Sequence, residues 1–102
     1  MILTLDSYLS LVPIEIRKDK KRFIIEDQIS GDFYEMPEVC IDAIQLMNRG
    51  EQLGKIEREL KGKYPQEEVD LLNFAEQLME LELIDSINGT KIIRQEKQKE
   101  KL

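Results

Sequence analysis

The sequence predicts a single α+β domain, with strands first, helices in the middle and a hairpin at the end. Three observations lead there. The chain has 102 residues, 41% of them apolar and 35% charged, enough for one modest core under a charged surface. Short β-type runs bounded by turn residues fill positions 11–36, and from Val39 apolar residues recur at helical spacing. Near the end, Asn88-Gly89 separates two short apolar runs, and both residues tolerate the positive φ of a two-residue hairpin turn.

Met1 to Ser10 is apolar but irregular and supports no assignment. A first strand is predicted at Leu11 to Arg17, where Val12, Ile14 and Ile16 alternate with their neighbours. Pro13 has no N–H to give a ladder, so this strand is an edge or starts after the proline. Arg17 to Arg22, with five cations and one acid, reads as a hairpin connection. A second strand at Phe23 to Gln28 and a tight turn at Ile29-Ser30-Gly31 lead to a third strand, Asp32 to Met36. Pro37 stops it and suits the first turn of a helix.

The first helix is predicted from Pro37 to Asn48, carried by Val39, Ile41, Ala43, Ile44, Leu46 and Met47, and Gly50 ends it. A second helix spans Gln52 to Lys63 on the stripe Leu53, Ile56 and Leu60, weakened by Gly54. After Tyr64-Pro65 a third helix is predicted over Gln66 to Glu82, opening on Glu67, Glu68 and Asp70 near its positive end. Its apolar residues are too many for one stripe. Positions 69, 72, 75 or 76, and 79 share one face and 71, 74, 78 and 81 another, so it should cover the core and something else. Leu83 to Ile87 and Thr90 to Ile93 close the domain as a hairpin, and Arg94 to Leu102 reads as a charged tail, frayed or disordered. Three strands, three helices and a hairpin make a small winged-helix-like domain over residues 1–93.

Charge and composition exclude several functions. The net charge is −6, and residues 66–85 hold seven acids and no Lys or Arg. A helix with that balance is repelled by phosphate, so nucleic acid is not the expected partner. The chain has no His and one Cys, which removes the commonest general base and any internal disulfide. Cys40 lies on the apolar side of the first helix and reads as core. No phosphate-binding glycine loop or Gly-x-Ser-x-Gly appears. Glu67, Glu68 and Asp70, with Glu35 and Glu38, lack calcium-loop spacing. Neither catalysis, a cofactor nor a metal is therefore expected. The N-terminus lacks a basic secretory region and no long apolar run is present, so the expected location is the cytoplasm, which also suits an isolated thiol.

Peptide binding fits better. The third strand, bounded by Gly31 and Pro37, has the habit of a sheet edge, and an edge accepts an extended peptide as a further strand. Phe33 and Glu35 point to one side of it, Tyr34 and Met36 to the other. The surplus apolar face of the third helix would floor a groove beside it. The same edge could pair with a second copy of the chain in a dimer.

The residues that carry these features resemble a known family. Phe23-Ile-Ile-Glu26, Gly31-Asp-Phe-Tyr-Glu-Met-Pro-Glu-Val39, Cys40-Ile-Asp-Ala-Ile-Gln-Leu-Met47, Gly50-Glu-Gln-Leu-Gly-Lys-Ile56, Val69-Asp-Leu-Leu-Asn-Phe-Ala-Glu-Gln-Leu78 and Leu81-Glu-Leu-Ile84 look like the PqqD-like domains. That family is named for a small protein of pyrroloquinoline-quinone biosynthesis, and its members are also called RiPP precursor recognition elements. The likeness spans about residues 11–87 and is a pattern of apolar positions and turns. It departs at Glu82, where the family often has Gly, and at Pro37, where standalone members more often have Asn. The Met-Pro-Glu-Val form looks more like versions fused ahead of membrane zinc-metalloprotease-like proteins, with the parent chain running on after Arg94.

The resemblance implies a non-catalytic domain that binds the leader of a ribosomally made precursor peptide and presents it to a modifying enzyme, often a radical-SAM protein. By position, the peptide would meet Asp32, Phe33, Tyr34 and Glu35 on the strand and Leu71, Phe74, Ala75 and Leu78 on the helix. The acidic third helix would favour Lys or Arg beside the leader's apolar anchors. The competing expectation is a regulatory or assembly domain of a larger membrane protease or transporter that reads no leader.

Overall fold

A computed structural model describes residues 3–92. Six strands and three helices follow in the order β1 (Leu9–Leu11), β2 (Ile14–Asp19), β3 (Arg22–Asp27), β4 (Phe33–Met36), α1 (Glu38–Asn48), α2 (Leu53–Lys63), α3 (Leu71–Glu80), β5 (Ile84–Ile87) and β6 (Thr90–Lys91). The domain is α+β, with two three-stranded antiparallel sheets ordered β2-β3-β4 and β1-β5-β6.

The second sheet departs from the expected lone closing hairpin. Leu9 and Leu11 are buried, and their strand pairs with β5, with Leu9 opposite Ile87. The expected first strand is therefore two. Pro13 separates them, as its missing N–H requires, and β2 starts at Ile14. The cationic connection is also shorter than expected. Lys18 pairs with Phe23 and Asp19 with Arg22, leaving Lys20-Lys21 as the turn. At the other end Asn88 (φ 53) and Gly89 (φ 83) form the two-residue turn their dipeptide predicts. Asn88 also accepts the Tyr8 N–H on its side chain at 3.0 Å, which ties the turn to the N-terminal segment.

That segment answers for Gly54. The Gln52 side chain does not cap α2; instead Ser7 C=O accepts the Leu53 N–H at 2.9 Å and Leu5 C=O the Gly54 N–H at 2.7 Å. Two of the helix's orphan donors are thus satisfied by chain lying across its end. A Cβ at Gly54 would stand 3.1 Å from the Leu5 oxygen.

The third helix begins at Leu71, not Gln66. Asp70 is its N-cap, accepting the Asn73 N–H at 3.1 Å, and Glu57 of α2 accepts the Leu71 N–H at 3.0 Å. Glu67, Glu68 and Val69 lie before it in irregular chain, so the expected face through position 69 is not helical. The apolar surplus survives in reduced form. Leu71, Ala75 and Leu78 are buried, while Leu72, Phe74 and Met79 are half-buried.

Both α1 and α3 end in one backbone motif. After α1, Gly50 N–H donates to Met47 C=O and Glu51 N–H to Leu46 C=O; after α3, Glu82 N–H donates to Met79 C=O and Leu83 N–H to Leu78 C=O. This reciprocal pair needs a left-handed residue. Gly50 supplies it at φ 89 and Glu82 at φ 62.

The core gathers Ile25 and Met36 from the first sheet, Leu9, Ile84 and Ile87 from the second, and the inner faces of all three helices. No helix among the described residues is long and apolar enough to cross a membrane. The expected tail, Arg94 to Leu102, lies outside the described residues.

Candidate functional site

β4 is an edge. Its only strand partner among the described residues is β3, with Phe23 opposite Met36 and Glu26 opposite Phe33. The Asp27 N–H donates to Asp32 C=O at 2.9 Å, which fixes the alternation of the antiparallel ladder. Tyr34 and Met36 turn their backbone groups toward β3, so those of Phe33 and Glu35 face outward. Pro37 then adds no donor before α1 starts.

The two faces of β4 differ as the alternation predicts. Met36 is buried and Tyr34 half-buried against the core, whereas Phe33 is 57% exposed and Glu35 exposed on the outer face. There Arg17 of β2 sits 5.5 Å from the Phe33 ring centre, and Arg22 of β3 meets Glu35 at 2.8 Å. Both cations are largely solvated, so these contacts orient the side chains and are weakened by salt. Hydrogen bonding to Glu35 and its charge hold the Arg22 pKa above its usual value. Asp32 is exposed in the turn, its N–H donating to Ser30 Oγ at 3.1 Å. Buried Asp27 holds that turn by accepting the Ile29 N–H at 2.8 Å.

Directly after β4 the chain enters an apolar cleft of about 180 Å³ between α1 and α3. Val39, Cys40 and Ala43 line it from α1, Leu60 from α2, Val69 from the approach to α3, and Leu71, Asn73, Phe74 and Gln77 from α3. Glu68 and Asp70 stand on its lining as well, with no Lys or Arg among the described residues. Burial, then the charge of Glu67, push the Cys40 thiol pKa up. The thiol stays protonated and acts as an apolar wall, not a nucleophile. Among the described residues no group of three acids or thiols could hold a metal.

The expected contact residues divide. Leu71 and Phe74 line the cleft; Ala75 and Leu78 are fully buried in the core and offer no surface in this conformation. None of Asp32, Phe33, Tyr34 and Glu35 lines the cleft. They precede it in the chain, with Pro37 and Glu38 between the end of β4 and the first cleft residue, Val39. Val39, Cys40, Ala43, Leu60, Val69 and Gln77 were not in the expected set. Their signal was weak, because Val39 and Cys40 read as ordinary core of an amphipathic helix.

A second polar cluster braces the far side of α1. Asp42 accepts from Tyr64 Oη at 2.6 Å and from Lys63 Nζ at 2.7 Å. Burial alone would raise the Asp42 pKa, but the two hydrogen bonds and the Lys63 charge outweigh it and lower the value. The same contacts raise the pKa of Tyr64 and of Lys63. This cluster fixes the break between α2 and α3 and presents no open reactive group.

No protein-family model, curated protein or solved structure matches this chain.

Proposed function

We propose that this chain is a non-catalytic peptide-binding domain of the PqqD-like kind. It takes up the leader of a precursor peptide as an added strand along β4 and presents it to a modifying or processing enzyme. The observation that carries the reading is the outward-facing backbone of Phe33 and Glu35 on the edge strand, with Glu35 four residues ahead of Val39, the first residue of the apolar cleft. Main-chain hydrogen bonds along such an edge supply affinity, and a pocket beside it selects a side chain. Asp32 and Tyr34 flank these two positions, Phe33 and Glu35 border the peptide's outer side chains, and Phe74 and Leu71 receive an inner one.

Two further features support the reading. Three helices followed by a hairpin that pairs back to β1 suit a winged-helix arrangement. Glu82 takes a left-handed conformation where the resembling family often has Gly, so the backbone asks for glycine at the place where the likeness departs.

The test is an amide-shift titration of the full chain with synthetic leaders taken from short reading frames beside its gene, run in parallel on Glu35→Pro. Proline removes an outward N–H that no described strand uses, so the fold should persist while the edge is blocked. Shifts at 33–36, 39–43 and 69–77 that vanish in Glu35→Pro support strand addition. Undiminished binding by a folded Glu35→Pro would refute it and favour an assembly domain.

A further inference from the structure

The first sheet has a second open edge. In the order β2-β3-β4, β2 borders β3 on one side and no strand among the described residues on the other. The Gln28 N–H donates to Pro13 C=O at 3.0 Å, which fixes the alternation of the β2–β3 ladder. Glu15, Arg17 and Asp19 therefore turn their backbone groups toward β3, and Ile14, Ile16 and Lys18 turn theirs outward. With six residues against four in β4, this is the longer of the two edges. Its side chains alternate as well. Ile14 and Ile16 are half-buried on the inner face, and Lys18 stands there 5.9 Å from the Phe23 ring centre. Glu15 and Arg17 are exposed on the outer face, opposite in sign and two residues apart.

We infer that β2 is a dimerisation edge, on which a second copy of this chain pairs antiparallel about a twofold axis at Ile16. A symmetric pair must set outward residues against outward residues, so few registers exist. Centred on Ile16, each Glu15 faces the partner's Arg17 in a close, non-hydrogen-bonded pair, and Ile16 faces its own copy. The Lys18 stem then lies along the partner's Ile14 with its ammonium in water. Centring on Glu15, Arg17 or Lys18 would set like charges face to face. Centring on Ile14 would need Val12, whose N–H already donates to Leu83 C=O at 2.9 Å. The strand is thus its own electrostatic complement in one register, which is the reason the occupant is a second copy. β4 stays open at the far edge of each half, so the inference holds whether or not β4 takes a peptide. Only short strands meet, and the dissociation constant should be on the order of 10–100 µM, the weak end for a small interface.

The experiment is sedimentation equilibrium of the full chain, from well below to well above that concentration, with thermal melts confirming that each variant folds. The wild type should show a reversible monomer–dimer equilibrium. Glu15→Arg and Arg17→Glu, which make both cross-strand pairs like-charged, should each weaken it by at least about tenfold. An equimolar mixture of the two variants should dimerise again, because every substituted residue then faces its opposite charge on the partner. Glu35→Pro, which blocks the other edge, should dimerise as the wild type does. A wild type that is monomeric at every concentration would overturn the inference, as would dimers that survive either single variant. A mixture that stays monomeric would overturn the register, and with it the choice of a second copy. Dimers lost in Glu35→Pro would overturn it too, and would move the contact to β4.

Discussion

Replacing Glu82 by glycine should stabilise the domain, although it removes a half-buried side chain and adds backbone freedom. The motifs that end α1 and α3 are the same, but α1 places Gly50 at the left-handed position and α3 places Glu82 there at φ 62. A side chain in that conformation costs on the order of 1–2 kcal/mol. Glycine removes the cost and returns part of it, about 0.5–1 kcal/mol, through a freer unfolded chain. The two capping hydrogen bonds come from backbone groups and survive. The net gain is about 0.5 kcal/mol, or roughly 0.3 M in the urea midpoint for a slope of about 1.5 kcal/mol/M. Glu80→Gly supplies the internal contrast. Two residues earlier and inside α3, it should lose about 0.5 kcal/mol through helix propensity. Equilibrium urea unfolding followed by circular dichroism measures both, with an unchanged slope as the check on two-state behaviour. If Glu82→Gly is destabilised as much as Glu80→Gly, the left-handed ending of α3 is wrong.

Other positions give sharp outcomes. Gly54→Ala brings a Cβ to 3.1 Å from the Leu5 oxygen and should destabilise by about 1 kcal/mol against its better propensity, whereas Gly62→Ala, with open space around it, should gain about 0.5 kcal/mol; thermal melts separate the signs. Asp42 has a folded pKa below its unfolded one, so its stabilisation is present above about pH 4 and lost as pH falls through the folded value. Tyr64 is shifted upward, so its share is present below about pH 10 and lost above it; Asp42→Asn should flatten both limbs of stability against pH. Leu78→Ala, fully buried, should cost about 2–5 kcal/mol, while Phe74→Ser should unfold less readily than Leu78→Ala yet lose peptide binding in the same titration.

The sequence shows most clearly where a local rule acts alone. Asn88-Gly89 defines its turn without help, and the alternation from Phe33 to Met36 gives the correct faces of β4. It fails where the deciding partner is distant. β1 is only three residues, and its pairing with β5 joins segments more than seventy residues apart. The start of α3 misleads because Glu67, Glu68 and Val69 continue a helical pattern, while the true boundary depends on Asp70 and on Glu57 reaching over from α2. The cleft is hidden for the same reason. Val39 and Cys40 become a wall only because α3 packs opposite them, and packing also withdraws Ala75 and Leu78 into the core.

The central claim is that β4 offers the main chain of Phe33 and Glu35 to a peptide, and amide hydrogen exchange tests it most directly. In the free domain Tyr34 and Met36 should exchange slowly and Phe33 and Glu35 fast. Saturation with a selected peptide should slow Phe33 and Glu35 by at least about tenfold, as new interstrand hydrogen bonds form. Slow exchange at Phe33 and Glu35 already in the free domain, or rates unchanged at saturation, would contradict strand addition at this edge.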